Sequence, residues 1–113
     1  KSFIEETYYG NGVLQSEVTK ISGKLNGHAR YYDNQSNLIS IASYKNNILH
    51  GMWIEYYTNG ITKYSVKYNF GIKDGSELWY YENGNIKSET VYKMGEVVFE
   101  TLRWDANGNI LYK

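Results

Sequence analysis

The chain has no cysteine and no proline, only 3 Ala and 2 Met, and no surplus of charge: 12 Lys and Arg stand against 12 Asp and Glu in 113 residues. Without cysteine there is no disulfide, no thiolate metal ligand and no thiol nucleophile, and the redox compartment is left open. A net charge of zero excludes a strongly basic nucleic-acid binder, so no nucleic acid is expected among the partners. No apolar run approaches the roughly 18 residues of a membrane span, and no charged-then-apolar leader opens the chain. At this length one domain is expected, or one stretch of a longer array, and a deep catalytic cleft is hard to build.

What is present in quantity is aromatic and turn-forming: 13 Tyr, 3 Trp, 3 Phe, 11 Gly and 12 Asn. With so little Ala and only 7 Leu, this mix favours strands over helices. Residues with AT-rich codons far outnumber Ala, Pro and Arg, which points to an AT-rich, bacterial genome.

An aromatic pair followed by an Asn/Gly turn recurs at Tyr8-Tyr9-Gly10-Asn11-Gly12, Tyr56-Tyr57-Thr58-Asn59-Gly60 and Tyr80-Tyr81-Glu82-Asn83-Gly84. Looser copies begin at Tyr31 and Arg103, so the starts at 8, 31, 56, 80 and 103 are separated by 23, 25, 24 and 23 residues. A period this regular is the signature of a repeat array. Each unit has a second half, a polar and aliphatic run ending in Tyr before another turn, as in Ile86 to Tyr92 before Lys93-Met94-Gly95. Runs of this length between Asn/Gly turns are hairpin strands. The expectation is an all-β, elongated, single-layer antiparallel meander of about ten short strands, an open solenoid-like sheet spanning residues 1–113 as about 4.5 repeats of 23–25 residues.

Alternation sorts the second strands into two faces. Leu14, Ser16 and Val18, with Leu38, Ser40, Ala42, Tyr44, Thr62, Tyr64, Val66, Tyr68, Ile86, Ser88, Thr90 and Tyr92, are expected to pack. Gln15, Glu17, Thr19, Lys63, Ser65, Lys67, Lys87 and Glu89 are expected to meet water, with Ile39 and Ile41 as a local apolar spot among them. The second copy carries Gln35-Ser36 where others have Gly, which predicts a longer turn.

The unit Gly51-Met52-Trp53-Ile54-Glu55-Tyr56-Tyr57-Thr58-Asn59-Gly60 with Tyr68-Asn69-Phe70-Gly71-Ile72-Lys73-Asp74-Gly75 resembles a MORN repeat variant, and Gly75 to Gly84 does so again. The resemblance runs from about Thr7 to Tyr112 and implies Gly- and Tyr-rich β-hairpin units in a non-catalytic scaffold. The longer bacterial variant includes a YwqK-like antitoxin family, so a protein partner, such as a toxin, is what the resemblance implies. The array starts in mid-unit and at Lys1 rather than Met, which is read as part of a longer protein whose native N-terminus is missing. Its compartment, cytoplasm or cell envelope, stays open.

Chemistry finds little purchase. His28 and His50 are the only neutral-pH bases, each beside a turn glycine, and they are too few for catalysis or zinc. Asp33, Asp74 and Asp105 are expected in turns, capping backbone, and Glu55 and Glu77 in cross-strand pairs. No glycine opens a helix that would hold a phosphate, so no cofactor is expected. Two ladders, Tyr8, Tyr31, Tyr56, Tyr80 and Tyr9, Tyr32, Tyr57, Tyr81, Trp104, are the features suited to binding. Tyr31, Trp53, Tyr56, Trp79 and Tyr80 are the candidate contacts for a protein partner. Lys63, Lys67 and Lys87 are the candidates for an anionic membrane surface, the alternative being an envelope module that binds phospholipid headgroups or glycan. Open edges near Phe3 and Leu111 offer pairing between two copies of the chain.

Overall fold

The computed structural model describes residues 1–111. Its strands are β1 (Ser2–Tyr8), β2 (Leu14–Ile21), β3 (Lys24–Tyr32), β4 (Leu38–Lys45), β5 (Ile48–Tyr56), β6 (Thr62–Asn69), β7 (Ile72–Lys73), β8 (Gly75–Tyr80), β9 (Ile86–Lys93), β10 (Glu96–Val97), β11 (Leu102–Trp104) and β12 (Ile110–Leu111). They form one antiparallel sheet in chain order, with β7 beside β6 and β10 beside β9 as broken halves of the strands that continue in β8 and β11. Ten strand positions therefore follow one another, the meander expected from the turn spacing, and no helix occurs among the described residues. The sheet does not close, and it measures 48 × 33 × 15 Å. Its radius of gyration of 16.3 Å exceeds the roughly 13 Å of a compact chain this long.

The register corrects the period. Bulges fall between Thr7 and Tyr8, Tyr31 and Tyr32, Glu55 and Tyr56, and Trp79 and Tyr80. Tyr8, Tyr32, Tyr56, Tyr80 and Trp104 are therefore equivalent, and the repeat is a strict 24 residues. The looser copies at Tyr31 and Arg103 were aligned one residue early, because Asp33 and Asp105 occupy the place of the second Tyr. At each bulge one extra residue enters the second strand: Thr7 faces Ser16 but Tyr8 faces Leu14, leaving Gln15 unpaired. Ile39, Lys63 and Lys87 are its counterparts. The bulge turns Leu14, Leu38, Thr62 and Ile86 to the face opposite Ser16, Ser40, Tyr64 and Ser88, so they leave the face on which simple alternation put them.

A second irregularity sits at the other end of each unit. Val18 faces Ala29 and Lys20 faces Leu25, so Asn26, Gly27 and His28 together span what Thr19 spans on the neighbouring strand. Gly27, Gly51 and Gly75 hold φ of 105°, 113° and 122° there, and their partners across the ladder are Tyr44, Tyr68 and Tyr92. Only glycine is comfortable at such angles, and a Cβ on Gly51 would stand 2.9 Å from the Ser43 Cβ. These are bulge glycines rather than turn glycines, and Asp74 lies in the break between β7 and β8 rather than in a turn. Phe99 takes the glycine place in the last unit, where a side chain cannot follow the same backbone path, and the strand is interrupted between β10 and β11.

The turns form two rows. In the first, Gly12, Gly60, Gly84 and Gly108 at φ near +90° close three-residue loops, each with the glycine N–H bonded three residues back. Ser36 takes the same place at φ 70° with the same two backbone bonds, so the second copy has a turn of ordinary length. The other row has two-residue turns at Ser22-Gly23, Asn46-Asn47, Phe70-Gly71 and Met94-Gly95, all with positive φ.

With no second layer, the core lies on one face of the sheet. Val66 is fully sealed from solvent and Ala29 and Ala42 nearly so, although only side chains of the same face are available to cover them. Pairing puts Val18, Ala29, Ala42, Trp53 and Val66 in one row, and Ser16, Tyr31, Ser40, Glu55, Tyr64, Trp79 and Ser88 in the next. Small residues beside large ones let the rings lie over their neighbours. Ser65, expected in water, is buried on the opposite face, in the row of Ile41, Ile54 and Leu78.

Candidate functional site

The Val66 face spends its polar groups on itself. Glu77 Oε2 accepts hydrogen bonds from Tyr64 Oη and Lys73 Nζ, and the Lys73 ammonium lies 5.0 Å from the centre of the Tyr92 ring. Burial pushes the Glu77 carboxyl up, but the bonds from Lys73 and Tyr64 outweigh it and hold the group below the usual carboxylate range. Burial, then the hydrogen bond to Glu77, raises the Tyr64 phenol well above its ordinary value. Lys73 is raised in turn by its bond to Glu77. The Tyr64 and Trp79 rings meet at 4.4 Å, tilted by 50°, and Trp53 Nε1 donates to Glu55 Oε2 at 3.0 Å. Each of these carboxylates is thus a partner in a structural network, and neither is paired with a second carboxyl for acid–base work.

The opposite face carries a different row. Tyr8–Leu14, Tyr32–Leu38, Tyr56–Thr62, Tyr80–Ile86 and Trp104–Ile110 are cross-strand pairs, each just beyond a bulge or at the equivalent place. They make a stripe of ten uncharged side chains across the whole sheet in a protein of which 21% is charged. Tyr8 is 56% exposed, Ile86 and Ile110 are exposed, and Tyr32, Tyr56, Tyr80 and Trp104 are half-buried. Shallow grooves of about 290 and 360 Å3 open along it, one between Leu38 and Tyr56 and one between Ile86 and Trp104, equivalent places two units apart.

Behind the stripe, the first row of turns is cross-braced. Tyr9, Tyr57 and Tyr81 donate their hydroxyls to the carbonyls of Tyr32, Tyr80 and Trp104 at 2.6–2.8 Å, each reaching into the next unit. Asn11, Asn59 and Asn83 do the same to Asn34, Glu82 and Ala106. Where Asp33 and Asp105 replace the Tyr, the carboxylate instead accepts backbone N–H groups of its own turn, from Asn37 and Asn109 foremost, which lowers both carboxyls.

The five candidate aromatic contacts are divided between the faces. Tyr56 and Tyr80 belong to the stripe. Tyr31, Trp53 and Trp79 stand on the Val66 face, and Tyr31 is half-buried, its phenol raised by burial and by the neighbouring Tyr44. The two expected ladders are therefore replaced by the stripe and by the Tyr9, Tyr57, Tyr81 braces. Lys63 and Lys87 sit at equivalent bulges, 5.8 and 5.6 Å from the centres of the Tyr57 and Tyr81 rings, whereas Lys67 lies opposite Met52 in another row. His28 Nδ1 is 3.2 Å from Ser43 Oγ, and His50 Nδ1 accepts the Phe70 N–H, so the two imidazoles are apart and engaged in the frame. Leu14, Leu38, Ile86 and Ile110 were not singled out from the sequence; the signal available was their constant place two residues after the turn Gly or Ser.

No curated protein matches the chain. The family described as MORN repeat variant matches residues 4–19, 25–46, 49–69 and 73–94, segments that each take in one pair of adjacent strands or most of it. An open sheet of hairpin units with most of its length matched in this way, the chain belongs to the MORN repeat variant family of non-catalytic β-sheet scaffolds.

Proposed function

We propose that the chain is a rigid binding scaffold that docks a partner protein on the stripe face, with Tyr56 and Tyr80 as central anchors. The observation that carries this reading is the uncharged row from Tyr8 to Ile110, half-buried along most of its length and exposed at Tyr8, Ile86 and Ile110. Aromatic rings held by a sheet lose little freedom on binding, and a neutral, partly apolar strip flanked by polar turns has the composition of an interface centre with its rim. Masking of a toxin by such a sheet is the mechanism available to an antitoxin of the YwqK-like kind. Tyr31, Trp53 and Trp79 serve the sheet's own cover in this reading.

The test is capture from the source lysate by the wild type and by two variants. A protein retained by the wild type and by Lys63→Gln/Lys87→Gln, but lost with Tyr56→Ser/Tyr80→Ser, supports the scaffold. Capture of anionic vesicles that is lost with added salt and with the lysine variant overturns it in favour of a membrane-surface module.

A further inference from the structure

We infer that the stripe takes a proline-rich segment in the polyproline II conformation, lying across the strands. The inference rests on the scaffold reading above and names the chemistry of its partner. Three observations lead to it: the pitch of the stripe, its hydrogen-bonding character and its recurring grooves.

Equivalent aromatics are two strands apart, and strands lie about 4.8 Å apart, so the stripe offers an aromatic about every 9.6 Å. A polyproline II helix rises about 3.1 Å per residue with three residues per turn, so every third side chain returns to one side after about 9.3 Å. Over the four steps from Tyr8 to Trp104 the two ladders drift apart by only about 1 Å. An α-helix repeats a face after seven residues, about 10.5 Å, and drifts by roughly 4 Å over the same distance. An extended strand shows alternate residues to opposite sides, so only every second one of its third residues returns to the surface.

The polar tips agree with the pitch. Among the described residues the hydroxyls of Tyr32, Tyr56 and Tyr80 and the indole N–H of Trp104 have no partner within the chain, whereas the backbone carbonyls of Tyr32, Tyr80 and Trp104 are already taken by Tyr9, Tyr57 and Tyr81. From Tyr32 to Trp104 the stripe thus presents unpartnered donors, whereas at its edge Tyr8 Oη donates to Glu6 Oε1. Proline lacks an N–H, so a proline-rich segment presents carbonyls and apolar rings and asks for donors and aromatic grooves in return. The grooves between Leu38 and Tyr56 and between Ile86 and Trp104 are where proline rings would seat.

The experiment is a calorimetric titration of the 113-residue protein with three peptides of equal length and composition, each with the same few prolines spaced three apart, spaced four apart, or in scrambled order. A hexameric chitin oligosaccharide is titrated alongside. Binding of the first peptide at least about tenfold tighter than the second, and about tenfold weaker in Tyr56→Phe/Tyr80→Phe at unchanged melting temperature, is the expected result. The phenylalanine pair keeps the rings and removes only the donors, so it does not depend on a variant that fails to fold. Equal affinity for the first two peptides, no binding of the first up to about 1 mM, or tighter binding of the oligosaccharide overturns the inference. If the peptides fail while lysate capture still depends on Tyr56 and Tyr80, the scaffold reading stands and this inference alone falls.

Discussion

On one face of the sheet a carboxylate, an ammonium and a phenol meet at Glu77, and Val66 is sealed from solvent; on the other, ten uncharged side chains stand in line, and the polar tips of Tyr32, Tyr56, Tyr80 and Trp104 are unpaired. The strands and the backbone ladder are shared, so the contrast comes from side chains alone. A single layer has to make its own cover, and the Val66 face does so by laying rings over small residues and joining their polar ends. The stripe face is not closed in that way, and it is the face on which we propose that a partner docks. Substitutions on the two faces are therefore expected to separate stability from binding.

The largest effect is expected where the covered face needs a bare backbone. Gly51→Val forces a β-branched residue into φ 113° against Ser43 and is expected to cost about 3 kcal/mol or more, read as a fall in melting temperature or loss of folding. Val66→Ala leaves a cavity at a fully buried position and is expected to cost about 2 kcal/mol by urea denaturation. Glu77→Gln tests the polar network and its pH dependence. The folded carboxyl lies below its unfolded value, so its contribution is present above about pH 4.3 and is lost as pH falls through the folded value. The melting temperature of the wild type is expected to drop on acidification more steeply than that of the variant, with Asp33 and Asp105 supplying the residual slope. Ile86→Ser, on the exposed stripe, is expected to change stability by no more than about 0.5 kcal/mol. A loss at Ile86 as large as that at Val66 would erase the distinction between the faces.

The all-β repeat architecture was legible because turn chemistry and alternating strands are local. The frame was not fully so. Tyr31-Tyr32 looks like Tyr8-Tyr9, yet Tyr32 is the counterpart of Tyr8 and Asp33 that of Tyr9, since a carboxylate can organise the turn as well as a phenol can brace it. Simple alternation also fails at every bulge, because an extra residue such as Lys63 turns the strand over without leaving a mark in composition. That single slip put Leu38 and Ile86 on the wrong side and hid the stripe, while Tyr56 and Tyr80 stand out in the sequence because they head the clearest copies. The break between β10 and β11 was foreshadowed by Phe99 in a glycine's place, but its backbone consequence needed the φ values of the intact units.

The braces along the first row of turns also run out at one place. Tyr9 ties the first turn to the second unit, and Tyr57 and Tyr81 tie the third and fourth to their successors, but Asp33 has no hydroxyl to offer Tyr56. On the far margin the Gly71 N–H still bonds the Leu49 carbonyl, as Asn47 does Leu25, so that side is pinned throughout. At that one step between units the turns are held in register by the β4–β5 ladder and the opposite margin, without a phenol across them.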